Sequence, residues 1–322
     1  MYFYSIIIPV YNRPDEIAEL LQSLVRQTYK NFEVIIVEDG SSKTCKKAVD
    51  LTAEKLNIRY FFKENSGQGF SRNFGFDKAT GDYFIVFDSD CILPEAYLQT
   101  ANDFLKLNKL DAFGGPDKAH ESFTKVQKAI NYSMTSIFTT GGIRGKKNHV
   151  GSYHPRSFNM GISRAVYEKT GGYIITRMGE DIEFSIRIGE HGFKVGLIEE
   201  AFVYHKRRTN LIQFFMQLHF FGRARINVSR FYAHEIKLVH FFPLFFLLGC
   251  LLIIVCGFVY KPLFVIGLFF LTVYYLVIMI DSTLKNRSLV VGVLSLVAAT
   301  VQLCAYAIGM VGEYFKRKTK IQ

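Results

Sequence analysis

Short apolar runs and stretches of helical spacing take turns along the first two thirds of the chain. Residues 4–10 (YSIIIPV) form an apolar run of strand length. In residues 14–27, Ile17, Leu20, Leu21 and Leu24 recur at three- and four-residue spacing, which predicts a helix with one buried face. The same alternation predicts strands at 32–37, 58–62 and 82–87, and helices at 43–56 and 69–79. Further on it predicts a helix at 94–107, a strand at 110–114, an extended stretch at 157–163, helices at 164–170 and 179–191, and a strand at 193–198. Strands alternating with helices imply a mostly parallel sheet covered on both faces. Residues 116–155 have no clear period, and the glycine-rich, basic stretch 141–151 (GGIRGKKNHVG) reads as a mobile surface loop.

Near residue 238 the pattern changes. Runs 238–260, 262–280 and 289–312 hold no Lys, Arg, Asp or Glu. Each is about the ~20 residues that a helix needs to cross a bilayer. The expected organisation is an α/β domain over 1–205, a basic and aromatic amphipathic juxtamembrane segment over 206–237, transmembrane helices over 238–315, and a basic tail over 316–322.

Charge sharpens this picture. The formal net charge is +11, and cations gather beside the apolar block: Lys206, Arg207, Arg208, Arg223, Arg225, Arg230, Lys237, Lys316, Arg317, Lys318 and Lys320. Such clusters suit an anionic lipid bilayer. No recognisable nucleic-acid module carries them, so no nucleic-acid partner is expected. Residues 1–10 lack the basic start of a cleavable leader, which places the N-terminal two thirds in the cytosol and the chain, multi-pass, in the inner (cytoplasmic) membrane. One conflict follows. Three spans leave the basic tail outside, whereas basic flanks favour the cytosolic side; either one run is re-entrant or interfacial, or the rule fails here. The five cysteines form no C-x-x-C, and three of them lie in the apolar block, so neither a disulfide framework nor a zinc site is implied.

Chemistry-bearing residues collect at predicted strand ends. The fully apolar strand 83–87 runs straight into Asp88-Ser89-Asp90, and paired carboxylates there are costly unless a cation lies between them. The second strand ends in Glu38-Asp39-Gly40-Ser41, and a loop-to-helix stretch carries Ser71-Arg72-Asn73. The predicted helix at 179 opens with Glu180-Asp181-Ile182-Glu183. Ligands in open α/β sheets bind beyond the carboxyl ends of the strands, where one molecule can touch several of these groups.

Together with Pro9-Val10-Tyr11-Asn12, these motifs resemble the family 2 inverting glycosyltransferases of the GT-A fold over about residues 4–205. The resemblance implies an α/β, Rossmann-like mixed sheet followed by the helical membrane region. It implies a nucleotide-sugar donor, UDP-linked, held by Pro9, Tyr11, Asp39, Arg72 and Asp88, with Ser71 in place of the family's usual alanine. It makes Asp90 a direct ligand of Mg2+ or Mn2+, gives Asp88 a metal or ribose contact, and offers His205 as a further metal or diphosphate contact. The catalytic base falls on Asp181, leaving Glu180 and Glu183 as acids favoured by the helix dipole. Asn159-Met160-Gly161 and Gly171-Gly172-Tyr173 resemble the acceptor-side segment, where small residues let backbone approach the sugar. Polymerising relatives such as cellulose and chitin synthases carry Gln-x-x-Arg-Trp before their membrane helices. This chain has no tryptophan, so a single transfer is expected, to a membrane-associated, lipid-linked acceptor in cell-envelope or polysaccharide synthesis. The alternatives are a polyprenyl-phosphate glycosyltransferase and, more remotely, a nucleotidyltransferase, which wants a glycine-rich loop after the first strand.

Overall fold

A computed structural model describes residues 1–118, 120, 122–141 and 153–316. Most of the predicted loop 141–151 and of the basic tail lies outside them. The elements, in order, are β1 (Tyr4–Val10), α1 (Pro14–Val25), β2 (Phe32–Asp39), α2 (Lys46–Asp50), β3 (Ile58–Lys63), α3 (Gln68–Lys78), β4 (Tyr83–Phe87), β5 (Cys91–Ile92), α4 (Tyr97–Asn108), β6 (Ala112–Gly114) and β7 (Asp117–Lys118). Then come α5 (Lys125–Thr135), α6 (Ile137–Thr140), β8 (Asn159–Ser163), α7 (Arg164–Thr170), α8 (Glu180–Glu190), β9 (Val195–Leu197), β10 (Val203–His205), α9 (Leu211–Ser229), α10 (Phe242–Val259), α11 (Lys261–Asn286) and α12 (Leu289–Phe315). The chain divides into two compact units, residues 1–120 with 145–206, and residues 121–144 with 207–322.

The first unit is built on a seven-stranded sheet of order β3-β2-β1-β4-β8-β6-β9. Strands β1 to β4 are parallel, and β8 runs antiparallel to both β4 and β6, so the sheet is mixed. Alternation along the strands feeds two cores. Ile6, Ile8 and Ile36 meet Leu20 and Leu24 of α1 and Leu98 of α4. Ile7, Ile35 and Val86 meet Phe76 of α3, Val166 of α7 and Phe184 of α8. Each such aliphatic side chain contributes about 1.5–3 kcal/mol by leaving water. A smaller sheet, β5-β10-β7, lies beside the ends of the main one; its strands are two or three residues long, below the reach of any periodicity.

The helix expected at 43–56 is shorter than predicted. The buried Glu38 carboxylate accepts the Cys45 N–H at 2.8 Å, and the helix starts only after it. Past Asp50, Thr52 and Lys55 bond three residues back, which makes turns rather than an α-helix. Its hydroxyl also returns to the carbonyls of Ala48 and Val49, which competes with helix continuation.

In the second unit, α10, α11 and α12 are long and apolar enough to cross a membrane. Helix α9 occupies the segment expected to be amphipathic and buries Phe214, Leu218, Gly222 and Ala224. It packs on α12 at close range: a side chain at Gly222 would meet the Tyr306 carbonyl, and one at Gly309 the His219 carbonyl.

Glu33 joins three strands of the first unit from one buried carboxylate. It accepts Ser5 Oγ of β1 at 2.6 Å, Thr80 N and Oγ1 at 2.8 and 2.7 Å, and Arg59 Nη1 of β3 at 3.2 Å. Burial alone raises its pKa, but the hydrogen bonds from Ser5, Thr80 and Arg59 reverse this and leave it lowered. A lowered folded value stabilises above the unfolded value, about 4.3, and that gain is lost as pH falls through the folded one. Glu33→Ala is expected to cost about 2–4 kcal/mol at neutral pH, with the gap to wild type closing on acidification. Far-UV dichroism during thermal unfolding checks this, there being no tryptophan to follow.

Candidate active site

The sheet order places a crevice beside β1. From β1 the chain moves outward to β2 and β3, then returns past β1 to β4. The carboxyl ends of β1 and β4 therefore flank a topological switch point, the usual ligand site of open α/β sheets. Tyr11, Asn12 and Arg13 follow β1, and Asp88, Ser89 and Asp90 follow β4. Pro9 lies within β1 opposite Val37, and the Tyr11 ring is 53% exposed.

Asp90 is buried, and two side chains reach its carboxylate. Arg13 Nη1 donates to its Oδ2 at 2.5 Å, and His205 Nε2 lies 3.2 Å from its Oδ1. The small sheet brings these distant residues together, because β5 pairs antiparallel with β10 and sets Cys91 opposite His205. The Lys206 N–H then donates to the Asp90 carbonyl at 3.1 Å. Burial raises the Asp90 pKa, yet the neighbouring imidazole and guanidinium outweigh it and hold the carboxyl well below the usual range.

This cluster fits a divalent cation. Donor atoms of Asp90, Cys91 and His205 lie within 4.8 Å of one another. Asp90 Oδ1 and His205 Nδ1 are buried and have no hydrogen-bond partner among the described residues. The Cys91 thiol is in the core and donates to the Phe158 carbonyl at 3.5 Å. An oxygen and an imidazole nitrogen remain as donors, a set that suits Mn2+ ahead of the all-oxygen preference of Mg2+.

Arg72 on α3 is 1% exposed and lies between two acids. Its Nη2 donates to Asp88 Oδ1 at 2.9 Å and its Nη1 to Glu180 Oε1 at 3.2 Å, with the guanidinium carbon 5.4 Å from the centre of the Tyr173 ring. Glu180 is thus more than a helix-dipole acid: it also accepts from Gln68 Nε2 and ties the start of α8 to α3. Burial and the adjacent Asp181 raise the Glu180 pKa. Glu183 has its own task, accepting from Arg187 Nε at 2.7 Å while that guanidinium donates to the carbonyls of Thr170 and Gly172.

Asp181 is also paired. Arg156 Nε donates to its Oδ2 at 2.7 Å and the Ile182 N–H to its Oδ1 at 2.9 Å. Burial pushes its pKa up, but Arg156 and Arg72 reverse this, so it ionises below the ordinary carboxylate value. Asp39, by contrast, pins its own loop. It accepts from Lys63 Nζ and from the N–H groups of Ser66 and Gly67 at 2.9 and 3.0 Å. Asn12 takes the left-handed conformation at φ 54° and its Oδ1 accepts the N–H groups of Ser42 and Lys43, which fastens the β1 turn to the β2 turn.

Two of the three acceptor-side glycines are required by packing, whereas a Cβ at Gly171 would meet nothing within 4 Å. A Cβ at Gly161 would strike the Phe113 ring, and one at Gly172 would strike Asn73. Asn159 is spent inside the core, accepting from Tyr97 and donating to the Ala201 carbonyl at 2.8 Å.

The structure thus gathers Asp90, His205 and Arg13 in one group and Arg72, Asp88, Glu180 and Asp181 with Arg156 in another, while Asp39 stands within the β2–α3 loop contacts. A family model described as glycosyl transferase family 2 matches residues 5–171 of the 322. The chain belongs to that family. Asp181 and His205 fall beyond the matched span.

Curated relatives carry the name glycosyltransferase. An uncharacterised glycosyltransferase of Haemophilus influenzae is 30% identical over 219 residues, covering 64% of this chain and 70% of its own. Uncharacterised glycosyltransferases of Rickettsia felis and Rickettsia bellii are 33% and 27% identical over 141 and 241 residues. This chain spans only 22% and 34% of their lengths. Among solved structures, the mannosyltransferase PcManGT of Pyrobaculum calidifontis, in complex with GDP-Man and Mn2+, superposes with a TM-score of 0.69 at 14% identity, over 98% of this chain and 88% of its own. That likeness is one of fold, a GT-A-like mixed sheet followed by long apolar helices.

Sequence reasoning missed Arg13, Arg156 and the bridging role of Glu180. Arg13 had a signal, since it directly follows Tyr11-Asn12; Arg156 lies at the edge of the stretch without periodicity and had none. Arg72→Met strands the Asp88 and Glu180 carboxylates and is expected to cost about 3–5 kcal/mol. Adding Glu180→Gln should return part of that loss. Thermal midpoints of the two variants and of the exposed-site control Arg26→Met check it; a shift no larger than the control's would refute the bridge.

Proposed function

We propose that the chain is a membrane-anchored, inverting glycosyltransferase. It transfers one sugar from a nucleotide sugar, UDP-linked, to a membrane-associated, lipid-linked acceptor, in the cytosol-facing leaflet of the inner membrane during cell-envelope or polysaccharide synthesis. The observation that carries this reading is the pair of buried Asp90 and half-buried His205 at the switch point of a family 2 sheet. The same fold in PcManGT holds GDP-Man and Mn2+, which supports the nucleotide-sugar class and leaves the base to experiment.

Asp90, His205 and Asp88 would hold Mn2+ or Mg2+, which supplies positive charge to the diphosphate as it leaves. Arg13 now neutralises Asp90 Oδ2, so its side chain gives up that oxygen to a cation and is left beside a phosphate-binding site. The exposed Tyr11 ring and Pro9 form a rim suited to the nucleotide base. Arg72 holds Asp88 in place from below, and Asp39 stiffens the loop that carries α3 toward the crevice.

Asp181 takes the proton of the acceptor hydroxyl. Its lowered pKa keeps it ionised at neutral pH, and Arg156 holds the carboxylate in one orientation. The cation at Arg156 also favours a second acceptor class, a polyprenyl phosphate, whose phosphate would pair with the guanidinium and need no base.

Asp90→Asn is expected to lower metal-dependent release of the nucleoside diphosphate at least a hundredfold, measured on detergent-solubilised protein against a panel of UDP- and GDP-sugars with Mn2+, Mg2+ or EDTA. Full activity in that variant would sink the metal site. Asp181→Asn is expected to cut transfer to a hydroxyl acceptor by a factor of about 10²–10⁴; transfer surviving it would assign the phosphate acceptor instead. Removing Arg156 leaves burial to raise the Asp181 pKa, so in Arg156→Met the acid limb of kcat/KM should move to higher pH. An unmoved limb would mean that Asp181 is not the group titrating.

A further inference from the structure

Among the described residues three helices are long and apolar enough to cross a bilayer, but they are not equivalent. In their most apolar windows α10 and α11 are each 6% buried within the protein, whereas α12 is 44% buried. We propose that only α10 and α11 cross, as a hairpin, and that α12 lies with α9 along the surface on the side from which the chain enters. Both ends of α12 then face one compartment. The inference rests on the membrane part of the reading above and is independent of the transfer chemistry.

The hairpin is set by close packing along its length. Gly267 sits against Ile253 and Gly257 against the Phe264 ring, while the rings of Phe246 and Tyr274 lie 5.8 Å apart. The start of α10 and the end of α11 therefore share one side. Helix α12 begins there, because Ser288 caps it directly after α11 and Gly292 packs on Met279 and Thr283.

The far end of α12 returns to the same neighbourhood. Glu313 is buried and accepts from Arg223 Nε at 2.9 Å and from Arg230 Nη1 at 3.4 Å, and Arg230 Nη2 donates to its carbonyl at 3.0 Å. Both arginines belong to or end α9, and Arg225 between them is within electrostatic reach of His240, two residues before α10. Midway along α12, Gln302 Nε2 donates to the Thr139 carbonyl at 3.4 Å, next to Gly141, which faces Val239 at the approach to α10. So α12 passes the entry to α10 at its middle and ends beside α9.

Helix α9 cannot carry that end across. It begins at Leu211, with no helix between it and Lys206, and it holds Gln213, Gln217, Arg223 and Arg225. Cationic side chains within a crossing helix are strongly disfavoured, whereas a cationic helix with apolar residues beside them suits the interface. A crossing α12 would place its ends ~30 Å apart on opposite faces, and Glu313 would leave its arginines. Two crossings also put Lys316 and the basic residues after it on the entry side, which removes the conflict with positive-inside charge.

Cysteine accessibility in the full-length, membrane-inserted chain decides this. Tyr260, between α10 and α11, is 59% exposed and the Lys316 side chain 57%. Tyr260→Cys and Lys316→Cys would each be treated with a membrane-impermeant maleimide in intact cells and in inverted vesicles, with wild type as the blank for native cysteines. The expected result is labelling from opposite sides, each site reacting at least fivefold faster from its own side. Labelling of both from one side overturns the proposal in favour of three crossings. Release of the wild type by alkaline carbonate would overturn the membrane reading itself. As a second readout, green fluorescent protein fused after residue 322 should fluoresce and alkaline phosphatase fused there should be inactive; the reverse pattern overturns the inference.

Discussion

Everything at the crevice depends on keeping four buried or half-buried acids from repelling one another. Asp88, Asp90, Glu180 and Asp181 come together where two parallel strands end and a helix begins. A carboxylate without a partner is expensive to bury, so each has recruited a cation or a donor: Arg72 for Asp88 and Glu180, Arg13 and His205 for Asp90, Arg156 for Asp181. These partners arrive from four separate stretches of chain. The turn after β1, the first turns of α3, the segment before β8 and the last strand must all be in register before every acid has its partner. The site and the fold of this unit are therefore one constraint.

That constraint explains why the sequence was readable in part. Strands β1 to β4 and the helices between them are long enough for periodicity to mark them, and the acids at their ends are conspicuous because nothing else polar interrupts the apolar runs. Asp88 and Asp90 stand out for that reason, while Arg72, Asp181 and His205 are named through the family resemblance. The contacts among them could not be read from the chain. His205 reaches Asp90 through strands two and three residues long, and Arg156 follows a stretch whose pattern has no period. Glu180 looked like an ordinary acid at a helix start, because its second partner, Gln68, is visible only once α3 and α8 meet. The glycines at 161 and 172 carry a second constraint that spacing does not reveal. A side chain there would strike Phe113 and Asn73.

The second unit repeats the lesson with different physics. Hydropathy marks α10, α11 and α12 as alike, since it counts side chains and ignores what covers them. Packing separates them: α12 is clasped by α9 through Gly222 and Gly309 and by α5 through Ala298 and Ala305, whereas α10 and α11 show most of their apolar surface outward. One charged residue near the end of an apolar run, Glu313, carries more information about topology than the run itself, because it needs its arginine partners wherever it lies.

These two neutralisations have a common form. In each unit a buried carboxylate is held by arginines from another element, Asp181 by Arg156 and Glu313 by Arg223 and Arg230. Guanidinium groups stay charged at any working pH and bond in a fixed fork, so they fix position as well as charge. At Glu313 the two arginines and Lys316, 3.7 Å away, all favour the charged carboxylate, and the group acts as a rivet. At Asp90 the pair with Arg13 sits beside orphaned polar atoms of Asp90 and His205, and a cation arriving there would take the guanidinium's place without leaving the acid unpaired. The same kind of pairing would then be permanent in one setting and exchangeable in the other, according to whether a cation reaches it.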